Sequence, residues 1–238
     1  MKKKIKVLAV IPARKGSKRI KNKNIKIFNG KPMIYWPIQE LKKTKIFDKI
    51  LVSTDSLKIK SYAQSLRIDA PFVRPKDISD DFSPTIDVVN HAIRWLKNKG
   101  LSYDYICCVY PTAVLMKKKF IIDTFKLIKK NNKNFVFPAS KFEYPILRSF
   151  KRVSNGNIKM PFPKYFKYRS QDLEEYYHDA GQFYWGKADS WLKLKPIFSK
   201  SSTIIKIPRL WAHDIDTLED WKRAEIMHKV LQQINQKI

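Results

Sequence analysis

The chain has 238 residues, 44% of them hydrophobic, which excludes a disordered chain and allows one α/β domain with a real core. Its 49 Lys and Arg against 21 Asp and Glu give a formal charge of +28, and such a balance makes nucleic acid the default polyanionic partner. The lysines are spread along the whole chain beside many Asn and Ile, all with AT-rich codons, so genome composition accounts for most of them and nucleic acid is not the expected partner.

Met1-Lys2-Lys3-Lys4 has the charge of a signal-peptide start, but the apolar run at 5–13 is too short and meets Arg14-Lys15. It reads as a first strand of a cytoplasmic protein. A helix is expected over 32–43 with Ile34, Ile38 and Leu41 on its apolar side, then a strand over 49–55, a helix over 57–66 and a short strand over 70–73. The segment 85–97 is an amphipathic helix whose core side carries Val88, Val89, Ala92, Ile93, Trp95 and Leu96. A nearly continuous apolar strand over 105–110 suits a parallel sheet covered on both faces. Cys107 and Cys108 point to opposite faces of it, so they read as buried, reduced thiols with no metal-binding spacing. A helix over 118–129 and a strand over 135–139 follow. The alternation argues for a doubly wound, mainly parallel sheet. No apolar run is long enough to cross a bilayer.

After Ser140 the rhythm breaks. Asn155-Gly156 marks a hairpin turn within 148–160, and 160–178 is rich in Pro, Tyr, Phe and charge without periodicity. We read 1–238 as a single domain with an excursion at about 141–180. Strands over 181–185 and 203–207 and a helix from about Leu218 close the chain.

Ligands of open α/β sheets bind beyond the C-terminal ends of the strands. The first such end carries Arg14, Lys15, Gly16, Ser17, Lys18, Arg19, Lys23 and Asn24, a loop that suits a triphosphate or is simply a solvated basic loop. In Asp214-Ile215-Asp216 the carboxylates at i and i+2 share one side of an extended segment and can converge on a hard cation. Asp216 and Glu219 equally resemble a capping box for the last helix. Ser53-Thr54-Asp55 and Arg74-Pro75 either line a pocket or end strands in turns. The stretch 177–185 suits a sugar pocket or a set of buried aromatics.

Together, Ile11-Pro12-Ala13-Arg14, Gly16-Ser17-Lys18-Arg19, Lys23-Asn24, Ser53-Thr54-Asp55, Arg74-Pro75, Tyr110-Pro111-Thr112 and Asp214-Ile215-Asp216-Thr217 resemble the acylneuraminate cytidylyltransferase family over nearly the whole chain. Arg169-Ser170-Gln171-Asp172 and the stretch 178–184 look most like its pseudaminic acid branch. The resemblance implies a Rossmann-like nucleotidyltransferase fold, a homodimer built partly by the excursion, and magnesium-dependent transfer of CMP from CTP to a nonulosonic acid. That sugar would be pseudaminic acid, with legionaminic or N-acetylneuraminic acid as the alternatives. By the same resemblance, Arg14, Ser17, Lys18, Lys23 and Asn24 would hold the CTP phosphates and ribose, and Arg74 and Ser83 would border the cytosine. Tyr110, Arg169, His178 and Gln182 would meet the sugar, Asp214 and Asp216 would carry Mg2+, and Arg14, Lys23, Asp214 and Asp216 would serve the chemistry.

Two positions depart from the family. Lys15 stands where a second glycine is common. Tyr110 stands where glutamine is frequent, which reshapes the sugar pocket and argues against plain N-acetylneuraminate. The reading from another class, a nucleic-acid-binding protein, needs a basic face; the informative cations lie instead in one loop.

Overall fold

The computed structural model describes residues 4–236, so the first three residues of the basic N-terminus lie outside the described residues. In chain order the elements are β1 (Val7–Pro12), β2 (Ile27–Phe28), β3 (Lys31–Pro32), α1 (Tyr35–Thr44), β4 (Lys49–Ser53), α2 (Leu57–Ser65), α3 (Thr85–Asn98), β5 (Tyr105–Val109) and α4 (Lys118–Lys130). They continue with β6 (Phe135–Lys141), β7 (Lys151–Arg152), β8 (Ile158–Lys159), β9 (Tyr177–Asp179), β10 (Phe183–Lys187), α5 (Ala188–Leu192), β11 (Ser202–Lys206) and α6 (Leu218–Gln236).

One sheet dominates, in the order β11-β6-β10-β5-β1-β4, with β9 also paired to β6. The period-2 alternation of β1 splits its side chains between two cores. Val7, Ala9 and Ile11 face α1, α2 and α4, whereas Leu8 and Val10 face α3 and α5. Cys107 and Cys108 divide the same way, both buried and reduced, as the opposite-face argument requires. Burial pushes both thiols up, which keeps them unreactive at neutral pH.

The sheet is mainly parallel, and its one central exception has a topological cause. β1 runs parallel to β4 and β5, and β11 parallel to β6, but β10 is antiparallel to both β5 and β6. The chain leaves the sheet at the C-terminal end of β6, makes its excursion and returns at that same end, so the returning strand must run backwards. β9 and β10 are two halves of that return, both antiparallel to β6, interrupted at Gly181 with φ +61°. Gly186, the fourth residue of β10, has a packing reason: a methyl there would run into Trp191 Nε1 and lie 2.6 Å from the Phe135 ring.

The expected strand over 70–73 reduces to a single bridge, Leu51 with Asp69. Pro71 has no N–H to donate and Pro75 restricts Arg74, so only the Val52 N–H to the Asp69 carbonyl (2.8 Å) and the Arg74 N–H to the Thr54 carbonyl (2.7 Å) remain. The Asn155-Gly156 hairpin forms between β7 and β8, with Gly156 at φ +86°. A third apolar cluster joins α6, through Trp221, Ala224 and Leu231, to Ile20, Phe28, Met33, Leu115 and Ile215. It seats the loop after β1 against the segment before α6, and the two halves of the candidate site meet there.

Candidate active site

The loop after β1 begins at Arg14 and is pinned from three sides. Asp55 accepts the Lys15 N–H at 2.7 Å, the buried Asn24 amide donates to the Arg14 carbonyl at 2.9 Å, and the Asn24 carbonyl accepts the Ile34 N–H at 3.0 Å. Lys15 therefore fits in place of the family's second glycine through an ordinary backbone contact. Ser53 and Thr54 are fully buried, and Ser56 caps α2 by accepting the Ile59 N–H at 3.4 Å. Ser53-Thr54-Asp55 is thus a strand-ending turn that braces the loop.

Beyond the ends of β1 and β5 lies a cleft of about 620 Å³. Arg14, Ser17, Lys18, Lys23, Asn24, Arg74, Ser83, Tyr110, Asp214 and Asp216 all line it. Residues nearly 200 positions apart in the chain share this wall, joined by the Lys23 ammonium. It donates to the Ile215 carbonyl at 2.6 Å and to Asp216 at 3.4 Å. Arg19 also pairs with Asp216, at 2.8 Å, from a more exposed position.

The capping box expected from Asp216 and Glu219 is shifted by one residue. Thr217 Oγ1 accepts the Asp220 N–H at 3.1 Å, and Asp220 in return accepts the N–H groups of Thr217 and Asp216 at 2.8 and 3.1 Å. The Asp216 carboxylate is therefore free of capping work. Burial first, and then the neighbouring Asp216 charge, push the Asp214 carboxyl above its ordinary range. Its Oδ1 accepts the Ile215 N–H at 2.8 Å. Gly181 packs close by, where a methyl would come 3.4 Å from the Asp214 carboxyl carbon. Two carboxylates of like charge, one raised by burial, form an all-oxygen donor pair that fits a hard divalent cation. Among the described residues no group of three or more His, Cys, Asp or Glu forms a metal cluster, so the remaining ligands would be substrate phosphate and water.

Arg74, which also lines the cleft, is buried at 3% exposure, and its Nε donates to Ser79 at 3.0 Å. Burial, partly offset by Asp55, lowers its guanidinium below the usual range. Ser83 is held by Asp80, which accepts its N–H at 2.7 Å and its hydroxyl at 2.6 Å. Tyr110 reaches Thr85 at 3.0 Å, and burial pushes its phenol up to about 12.

Three expected sugar contacts lie outside this cleft. The Gln182 side chain is buried; its Nε2 donates to the Trp211 carbonyl and its Oε1 has no hydrogen-bond partner. His178 on β9 packs edge-on to Phe142, with Nδ1 2.9 Å from the Asp179 carbonyl. Arg169 is exposed on the excursion, before a short 3-10 turn.

Asp81 is a feature that the sequence reading missed. It forms ion pairs with Arg14 and with Lys18 (2.7 Å to the latter), so a carboxylate of the chain sits on two cations of the loop. These hydrogen bonds, led by the one from Lys18, hold the Asp81 carboxyl below its ordinary range. Its only trace in the sequence is a pair of acids, Asp80-Asp81, in a Ser- and Pro-rich loop.

The cytidylyltransferase family profile matches residues 8–189, from β1 to the start of α5. The chain belongs to the cytidylyltransferase family. It is 42% identical over 226 residues, 95% of this chain and 97% of the other, to the pseudaminic acid cytidylyltransferase of Campylobacter jejuni. It is 28% identical, over 96% of this chain and 99% of the other, to the CMP-N,N'-diacetyllegionaminic acid synthase of Legionella pneumophila. Among solved structures, a CMP:2-keto-3-deoxy-manno-octonic acid synthetase in complex with CTP superposes with a TM-score of 0.69 at 14% identity, covering 98% of this chain and 100% of that one. That likeness bears on the fold, which is the expected α/β nucleotidyltransferase fold. This cytidylyltransferase keeps its cation loop and its paired aspartates on one wall of the cleft described above.

Proposed function

We propose that this cytidylyltransferase transfers CMP from CTP to the anomeric hydroxyl of pseudaminic acid, with Mg2+ held by Asp214 and Asp216. The observation that carries the reading is the meeting of the phosphate-binding type of loop with the aspartate pair in one cleft, in a chain 42% identical to a pseudaminic acid cytidylyltransferase. The lower identity to the legionaminic acid enzyme, 28%, favours pseudaminic acid over its isomer.

In this reading Arg14, Ser17, Lys18 and Lys23 bind the triphosphate, and Asn24 keeps their loop in register. Arg74 and Ser83 border the base. Bound Mg2+ would neutralise phosphate charge as the α-phosphorus is attacked. The anomeric oxygen forms a bond to that phosphorus while the bond to the pyrophosphate oxygen breaks, and the hydroxyl proton passes to solvent water. The chain needs no nucleophile of its own: Arg14 and Lys18 stabilise charge and the cleft walls align the reactants.

The excursion at about 141–180 carries exposed aromatics, with Tyr144 at 77% and Phe166 at 63% exposure. We propose that a second copy covers them and that the resulting homodimer brings Arg169 toward a sugar site. One nucleotidyltransferase domain over 1–238 and a cytoplasmic location, where CTP is made, complete the proposal; no helix of the described residues is long and apolar enough to cross a membrane. The test is Asp214→Ala. Loss of Mg2+-dependent pyrophosphate release with an unchanged circular dichroism spectrum supports the metal assignment, and full turnover removes it.

A further inference from the structure

Gln182 immediately precedes β10, and its backbone and side chain hold different parts of the molecule. Its backbone carbonyl accepts the Tyr110 N–H at 2.8 Å, one rung beyond the Phe183–Val109 pairing of β10 with β5. The residue is therefore fixed to the sheet at the point where β5 gives way to the cleft. Its side chain, 1% exposed, donates from Nε2 to the Trp211 carbonyl. Trp211 closes the short 3-10 turn Arg209–Trp211, and the chain leads from there to Asp214.

The stretch that bears Asp214 is thus tied at both ends. Gln182 holds the Trp211 carbonyl from the sheet, and the Lys23 ammonium holds the Ile215 carbonyl at 2.6 Å from the loop after β1. Between the two ties the backbone of Gly181 sits beside the carboxylate, so close that a methyl on it would come 3.4 Å from the Asp214 carboxyl carbon. The amide itself brings little stability. Its Oε1 is buried without a hydrogen-bond partner, a cost that an apolar side chain of the same length does not carry. What the amide supplies is direction: a carbonyl only accepts, and Nε2 is the donor that fixes where Trp211 lies.

We propose that Gln182 is a positioning residue for the cation site: its side chain holds the aspartate segment at a set distance from the end of β5, and so sets where Asp214 meets a divalent cation. The inference rests on the Mg2+ reading of Asp214 and Asp216 above, whereas the tie itself depends on no ligand. Gln182 does not line the cleft, so it acts through the segment it holds.

Gln182→Met removes the bond and the unpartnered oxygen together, so its Tm should stay within about 4 °C of the parent. Hydrogen exchange of the ligand-free proteins reads the tie. The amides of 212–214 should exchange roughly two- to tenfold faster in the variant, the range of one ordinary hydrogen bond, while the Tyr110 amide keeps its rate. Unchanged exchange at 212–214 overturns the tie, and faster exchange throughout the sheet makes Gln182 purely structural. Where the variant does not fold, the parent decides. Its Gln182 side-chain amide, followed by 15N NMR, should exchange far more slowly than that of the exposed Gln64, and equal rates overturn the proposal. Tb3+ luminescence then reads the cation site: the affinity that Asp214→Ala abolishes should fall roughly two- to tenfold in Gln182→Met. In turnover, the Mg2+ concentration for half-maximal pyrophosphate release should rise by the same factor, with the KM for the sugar unchanged. A loosened segment with unchanged Tb3+ affinity overturns the positioning role. Tb3+ binding that survives Asp214→Ala overturns the metal assignment instead, and the exchange rates still decide the tie.

Discussion

Lys23 joins the two halves of the site, and Lys23→Met tests that role while keeping most of the apolar stem. The variant loses the ammonium bond to the Ile215 carbonyl at 2.6 Å and the weaker one to Asp216 at 3.4 Å. The Lys23 side chain is only 18% exposed, so water does not replace these contacts freely. One charge-assisted hydrogen bond contributes about 1.5–3 kcal/mol. In a chain of this length each kcal/mol moves Tm by about 2–4 °C, so the ligand-free variant should melt about 3–12 °C lower. Arg19→Met is the internal control. Arg19 reaches the same Asp216 oxygen at 2.8 Å, but its side chain is 65% exposed, and exposed pairs contribute only about 0–1 kcal/mol. Its Tm should stay within about 4 °C of the parent. Differential scanning calorimetry of the three proteins without ligand reads both shifts, and pyrophosphate release should fall at least about tenfold in Lys23→Met, matching one lost charge-assisted contact. Equal Tm losses in the two variants, or none in Lys23→Met, would refute the claim that burial of this one cation ties the loop to the aspartate segment.

Asp81→Asn removes the carboxylate that pairs with Arg14 and Lys18. CTP should then bind more tightly, because its phosphates no longer displace an internal anion; titration calorimetry that shows weaker binding would make Asp81 a nucleotide ligand instead. His228 supplies a pH dependence. Burial, followed by the charge of Lys117, lowers its imidazole from 6.5 to about 4, and Asn29 Nδ2 lies 3.2 Å from its Nδ1. The folded state binds fewer protons than the unfolded chain in that window, so stability falls as pH drops from about 6.5 to about 4 and is independent of this group above it. In His228→Leu that part of the slope of Tm against pH should vanish, and an unchanged slope would assign the acid sensitivity elsewhere.

Periodicity made most of the fold legible. The alternating pattern of β1 and the apolar face of α3 follow directly from residue spacing, and both sides of the sheet are filled as those patterns require. The strand over 70–73 was misread because apolar content was weighed above the missing N–H of Pro71. The capping box slipped by one residue because Asp216-x-x-Glu219 and Thr217-x-x-Asp220 share the same spacing, and only the backbone decides between them. In the site, charge type and strand-end placement pointed to the basic loop and the aspartate pair, and the resemblance to a known family supplied the other residues that line the same cleft. Asp81 escaped notice because an acid in an aperiodic loop gives no sign of which cations it will meet. The contact of the Gln182 amide with the Trp211 carbonyl was not legible either, because residues 29 positions apart in the chain meet there only through the fold.

The central claim is transfer of CMP to pseudaminic acid, and its most direct test is pyrophosphate release by the purified protein with CTP and Mg2+. Pseudaminic, legionaminic and N-acetylneuraminic acids are compared with a control lacking sugar. The account predicts release with pseudaminic acid well above the other two. Release with legionaminic or N-acetylneuraminic acid instead would contradict the assignment of the sugar, and silence with all three from folded protein would contradict the reaction itself.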